Sequence, residues 1–246
     1  MKTPNLKESP LTKNLPDLPI YFLGDHHGKW SEVFAQIQRH SLDNCILFSV
    51  GDAGIGFQTQ SAEIEHTQKL NNLFKEKNIQ FLAIRGNHDD PSYFEGPKRI
   101  DLPYFELLPD YCLLTHNDLT LQAIGGATSI DRSVRVAGVS YWHDEGLYMQ
   151  SHLIKKAHIL VTHTAPLQCA PPTDDAMVRS WSQQDAYLLE DLRSERHLLQ
   201  EILEKVQPKH HFYGHFHKSH RENINGCQHV LLNINELYPS PSNLKN

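Results

Sequence analysis

Five short apolar runs in this chain each end in a loop loaded with aspartate, asparagine or histidine, and this recurrence constrains the fold most. Ile20–Leu23 leads into Gly24-Asp25-His26-His27, and Cys45–Val50 into Gly51-Asp52. Ile79–Ile84 leads into Arg85-Gly86-Asn87-His88-Asp89. Ala157–Val161 leads into Thr162-His163-Thr164, and His210–Tyr213 into Gly214-His215-Phe216-His217. A short apolar run bounded by such residues reads as a buried strand. Between the first three, Trp30, Val33, Phe34 and Ile37 fall at helical spacing. A second helix is expected over Ala62–Lys77, with Leu70, Leu73 and Phe74 on one face. Strand, polar loop and helix in alternation imply parallel strands joined by helical crossovers. Ligands of such sheets bind at the carboxyl ends of the strands. The five loops should therefore converge.

The rest of the chain is less regular. Tyr111–Thr115 and Leu119–Ile124 flank His116-Asn117-Asp118 as a hairpin would, and Gly125-Gly126 ends it. Val134–Val139 suggests a further strand. Ser182–Val206 carries a leucine stripe, reads as the longest helix and is stopped by Pro208. Val230–Ile234 is a last strand. With 246 residues and no repeat or linker, a single domain over 19–238 is expected. Residues 1–18 hold three prolines, with a fourth at Pro19, and no apolar stretch, which suggests a flexible lead-in, and 239–246 a polar tail.

Charge and cysteine usage exclude several functions. The net charge is -6 and the pI about 6.3, so nothing in the global field draws the chain to nucleic acid or anionic membranes. No apolar run is long enough to span a bilayer, and the first residues do not read as a secretory signal. The four cysteines form no CxxC pair, which indicates neither a disulfide framework nor a thiolate zinc site. A reducing cytoplasm is the expected setting. Histidine is the outlier, at 17 residues, and it is the commonest metal ligand.

Asp25 and His27 are two apart, as are His215 and His217, so an extended segment projects each pair to one side. With Asp52, Asn87 and His163 they make a set of carboxylate, amide and imidazole donors. That set suits manganese, iron, zinc or nickel, with manganese favoured. Seven donors are too many for one tetrahedral ion and suit two ions sharing a carboxylate. Paired cations clamp the attacking and leaving oxygens of phosphoryl transfer. A water that they share ionises near neutral pH and attacks phosphorus in line.

The order D-x-H, GD, GNHD, TH and GHxH, from Gly24 to His217, resembles the calcineurin-like metallophosphoesterase superfamily, and the middle block, Gly125–Arg132 with Arg135 and Tyr141–Glu145, resembles a stretch in its small bacterial and phage members. The resemblance implies an α/β fold: a four-layer αββα sandwich with two mixed β-sheets. It implies that Asp25, His27 and His217 hold one ion and that Asn87, His163 and His215 hold the other. Asp52 would bridge them. It also implies that His88 binds no metal but acts as general acid or stabilises the transition state. Asp89 is expected to support its loop, and His26 to point away. His210, His211 and His220 read as structural or solvated, and Asp174, Asp175 and Arg179 as part of a loop near the pocket.

One segment departs from the pattern. The protein Ser/Thr phosphatase branch reads GDxxDRG after the second strand, where this chain has Gly51-Asp52-Ala53-Gly54-Ile55-Gly56. The missing Asp-Arg pair favours a phosphodiester, perhaps a nucleotide, as the small phosphorylated substrate. Phosphomonoester or protein-phosphatase activity is the alternative, and a non-catalytic scaffold on the same fold is a third reading. In the middle block, Arg132 and Arg135 are candidates to grip a phosphate, and Trp142 or Tyr141 to stack on a base. The alternative there is a surface loop with structural ion pairs.

Overall fold

The computed structural model describes residues 9–241. Its strands are β1 (Thr12–Asn14), β2 (Ile20–Leu23), β3 (Cys45–Ser49), β4 (Ile79–Ala83), β5 (Asp101–Leu102), β6 (Phe105–Leu107), β7 (Cys112–His116), β8 (Leu119–Ile124), β9 (Ile159–Thr162), β10 (His210–Tyr213), β11 (His220–Ile224), β12 (Cys227–Leu231) and β13 (Leu237–Pro239). Four helices accompany them: α1 (Trp30–Arg39), α2 (Gln60–Glu76), α3 (Ala176–Trp181) and α4 (Leu188–Val206). One sheet has the order β13-β2-β3-β4-β6-β5, the other β1-β7-β8-β9-β10-β12-β11. Both are mixed. Strands β2, β3, β4 and β6 run parallel, with β13 and β5 antiparallel at the edges. In the second sheet β8, β9, β10 and β12 run parallel.

The layers follow from alternation along the strands. Phe22, Phe48 and Leu82 of the first sheet meet Leu121, Val161, Phe212 and Val230 of the second in the central core. The rings of Phe22 and Phe212 stack there at 3.8 Å. Burying one such side chain is worth about 1.5–3 kcal/mol. Leu47, Phe81 and Phe105 point the other way, onto Trp30, Val33 and Ile37 of α1 and Leu70 and Phe74 of α2. Ile124 and Leu160 pack onto Leu199, Ile202 and Val206 of α4. The result is the expected αββα sandwich.

Several details differ from the sequence reading. The lead-in is tied down from residue 12, because β1 pairs with β7 and Leu15 is buried. Residues 1–8 lie outside the described range. The end of the chain adds β13 through Pro239, and Ser240 donates its N–H to the Ile20 carbonyl, so the polar tail starts later. Leu73 is exposed on α2. The expected Ser182–Val206 helix starts only at Leu188. Asp185 uses its carboxylate on the Tyr187 N–H and on Arg132, and such local capture favours a turn over helix. Val134–Val139 forms no strand; Arg132–Val134 is a single 3-10 turn. The strand expected at Val230–Ile234 lies earlier, at Cys227–Leu231, and pairs with the unanticipated β11.

Candidate metal centre

Asp25 and His27 follow β2, Asp52 follows β3, and Asn87 and His88 follow β4. His163 follows β9, and His215 and His217 follow β10. These are five strand ends from two sheets, brought to one edge of the sandwich. The side chains meet in two groups. In one, His27 Nε2 lies 2.9 Å from His217 Nε2, which is 3.5 Å from Asp25 Oδ2. In the other, His163 Nε2 and His215 Nδ1 lie 3.1 and 2.8 Å from Asn87 Oδ1. Asp52 stands between them. Its Oδ1 is 3.2 Å from His163 Nε2 and its Oδ2 3.7 Å from His27 Nε2, the placement a shared carboxylate needs.

The hydrogen bonds around these residues turn their donor atoms toward two cation positions. His163 donates Nδ1–H to the Val50 carbonyl at 2.9 Å, which turns Nε2 toward two oxygens. Asn87 donates its amide N–H to Ser129 Oγ at 3.0 Å, which turns Oδ1 inward. Such outer partners orient metal ligands in general. Asp25 Oδ1 is buried and has no hydrogen-bond partner, with His163 Nδ1 near it at 3.9 Å. Burial, with Asp52 beside it, raises the Asp25 carboxyl to about 8. Burial opposes a charge on His163 too, but Asp52 and Asp25 outweigh it and raise that imidazole to about 10. The metal-free chain thus places a proton where the donor set calls for positive charge. The residues fit the group.

The backbone is shaped to the same end. His27, Asp52, His215 and His217 all have positive φ, between 47° and 70°. Side chains rarely adopt this region; Asp and His tolerate it better than most, and such strain gathers at functional sites. Gly86 and Gly214 allow close approach: a Cβ on either would collide with the carboxylate of Asp52 or Asp25 respectively. Asp89 ties the loops together, accepting N–H bonds from Gly86, Ile55 and Ala53 at 2.8, 3.0 and 3.2 Å.

The remaining candidates separate. His88 sits beside the cluster, its ring 4.8 Å from that of His27, and Arg135 Nη2 is 2.6 Å from His88 Nε2. Arg132 is elsewhere. Asp185 and Asp191 hold its guanidinium at 2.5 and 2.6 Å, the structural-ion-pair alternative. Trp142 is buried against Phe57 and does not face the pocket. His26 points away and packs on Trp30. Asp175 caps α3 and lines the pocket, whereas Asp174 and Arg179 are exposed. Two supports were missed. Glu145 accepts the Ser129 N–H at 2.7 Å, and Arg85 holds the Glu145 carbonyl at 2.5 Å. Only the cluster of Gly125-Gly126 and Ser129 hinted at them.

Fold and site together define a class: an αββα sandwich with a candidate two-cation centre at its strand ends. A family model described as calcineurin-like phosphoesterase matches residues 18–219. Among solved structures, TT1561 of Thermus thermophilus is 11% identical with a TM-score of 0.52, covering 92% of this chain and 99% of its own. A putative 5'-nucleotidase from Staphylococcus aureus is 12% identical with a TM-score of 0.49, covering 89% of this chain and 49% of its own. The phosphopantetheinyl hydrolase of Mycobacterium tuberculosis is 11% identical with a TM-score of 0.44, covering 92% and 97%. No curated protein matches the sequence significantly. The chain belongs to the calcineurin-like phosphoesterase family and is a metal-dependent hydrolase of phosphoric esters. Among the described residues no helix is long and apolar enough to cross a membrane.

Proposed function

We propose that this chain hydrolyses a phosphodiester carrying a flat, largely apolar group, with a nucleotide as the fitting chemistry. The observation that carries this is a cavity of about 370 Å³ reaching from the metal centre to an apolar wall. Asp52, Asn87, His88 and His217 line it together with the apolar side chains of Met177, Val178, Trp181 and Phe216. Its size is ordinary for a small-molecule site. Aromatic faces take bases by stacking, a role better suited to Trp181 than to buried Trp142.

Asp25, His27 and His217 would hold one ion and Asn87, His163 and His215 the other, with Asp52 between them; their convergence supports this. The oxygen and nitrogen donors make manganese the favoured ion. When bound, the ions supply Lewis acidity and an ionised water. The chain's own residues do the rest. Arg135, at the cavity, takes a phosphate oxygen. Burial, with help from Arg135, lowers His88 to about 4. A phosphate that captures Arg135 frees His88 Nε2 and adds negative charge beside it. His88 then takes a proton more readily and passes it to the leaving oxygen. Ile55 is buried where the protein-phosphatase branch carries its aspartate, which supports the diester over that alternative. Four free, buried cysteines support a cytoplasmic setting.

The test compares bis-p-nitrophenyl phosphate with p-nitrophenyl phosphate on manganese-loaded protein. The diester should turn over faster, and a strong preference for the monoester would overturn the reading. His88→Ala should slow poor leaving groups most and keep its metal. Metal loss in that variant would make His88 a ligand instead.

A further inference from the structure

The outer face of the second sheet carries another set of donors. His211 of β10 and His229 of β12 are register partners. Their neighbours Phe212 and Val230 enter the central core, so the two imidazoles face the opposite way. Cys169, from the loop after β9, covers them. Sγ lies 3.2 Å from His229 Nδ1, which lies 3.0 Å from His211 Nδ1. The three donor atoms are within 4.8 Å of one another, and all three residues are buried.

Proton placement decides what this cluster is. Thr162 Oγ1 donates to the Thr164 carbonyl at 2.7 Å. It must therefore accept from His211 Nε2–H, also at 2.7 Å. That assigns the His211 proton to Nε2 and leaves a lone pair on Nδ1, aimed into the cluster. An imidazole ligand held through its other nitrogen is how metal sites are usually supported. Burial keeps both rings from charging. His229 Nε2 is buried and has no partner. His229 can donate Nδ1–H to His211 Nδ1, which leaves its buried Nε2 with no hydrogen-bond partner, or it can carry its proton on Nε2 and turn a second Nδ1 lone pair into the cluster, where a cation would bridge the two rings.

The surroundings are rigid. Arg196, almost wholly buried, donates to the carbonyls of Pro166, Pro171 and Cys169. Tyr213 Oη donates to the Ala170 carbonyl at 2.9 Å, and Glu222 accepts the Ala170 N–H. Glu222 also stands opposite His229 in register, bringing a carboxylate to balance an ion's charge.

We propose that Cys169, His211 and His229 form a third metal site, which takes one borderline-to-soft cation of the zinc class. One thiolate and two imidazoles suit that class, and the dinuclear centre has no sulfur donor. On binding, the Cys169 thiol loses its proton to the buffer as the metal–sulfur bond forms. The site shares the segment Thr162–Thr164 with His163, so the ion would brace the strand end that presents that ligand.

Cobalt(II) titration of the metal-free full-length protein tests this. A near-ultraviolet sulfur-to-cobalt charge-transfer band should grow in and be displaced by zinc(II). The band should vanish in Cys169→Ser and persist in Asp52→Asn, where the dinuclear centre is weakened. Zinc should raise the melting temperature of the parent more than that of Cys169→Ser. X-ray absorption on the zinc-loaded parent needs no variant and should show a sulfur neighbour. No band at cobalt saturation, a band that survives Cys169→Ser, or only nitrogen and oxygen neighbours to zinc would each overturn the proposal.

Discussion

Gly86→Ala tests whether close packing against Asp52 sets the metal centre. Gly86 has an ordinary φ, so alanine meets no backbone strain there. It meets Asp52. The new Cβ would lie 2.8 Å from Asp52 Cγ, with Oδ1 and the backbone N closer still, against 3.4 Å for ordinary contact. Asp52 must then retreat by about 0.6 Å or more, several times the roughly 0.2 Å tolerance on metal–ligand distances. Because Asp52 faces both triads, both ions should suffer. We expect metal affinity to fall by about 10–100-fold, or roughly 1.4–2.8 kcal/mol. Overpacking should cost about 1–3 kcal/mol of stability, or roughly 2–12 °C in melting temperature for a chain of this size. Gly146→Ala is the control, since its Cβ would meet nothing nearer than 4.0 Å. The assays are manganese titration calorimetry and thermal melting of both variants. If Gly86→Ala loads two ions as tightly as the parent, the Gly86–Asp52 contact does not set the centre and the reasoning fails.

Two other expectations follow from contacts already described. Arg135→Ala should lower kcat/KM by about 10–100-fold with metal content intact, since a charge-assisted contact to phosphate is worth about 1.5–3 kcal/mol. Arg132→Ala, whose partners are Asp185 and Asp191, should change kcat/KM far less; equal losses would contradict the assignment. The metal-free chain should melt lower as pH rises from about 7 to 9, above the range in which the buried histidines with lowered pKa, such as His26 and His88, act the other way. Burial raises Asp25 to about 8, and Asp52 and Asp25 raise His163 to about 10. A group raised in the fold contributes its stability at low pH and loses it as pH climbs through the raised value. Metal answers the Asp25 charge, so the loaded chain should lose less over the same range. A gap between loaded and free melting temperatures that narrows with pH would sink this account.

What the sequence revealed depended on how local the signal was. Asp25, Asp52, Asn87, His163 and His215 each follow an apolar strand, so a short window locates them and the topology brings them together. Arg132 and Arg135 look alike in such a window. What separates them is that Arg132 is held by Asp185 and Asp191, more than 50 residues away, whereas Arg135 pairs with Asp131 four residues before it and keeps Nη2 on His88 at the cavity. The same holds for Trp142, whose burial depends on Phe57 from another loop. Val134–Val139 has the residue types of a strand but no partner strand within reach. The Cys169–His211–His229 cluster spans 60 residues and has no spacing motif. The positive φ at four ligands is a property of packed loops that composition does not encode.

The two triads sit at unequal depth. His163 is fully enclosed, whereas the His217 side chain is 42% exposed and the His27 side chain 20%. An ion held by Asp25, His27 and His217 would exchange with the medium much faster than its neighbour. The centre would then fill from the inside outward and empty in the reverse order, passing through a half-loaded form that a chelator could trap. Its two positions could also carry different elements, the inner one retained from first assembly and the outer one tracking whichever ion the surroundings supply.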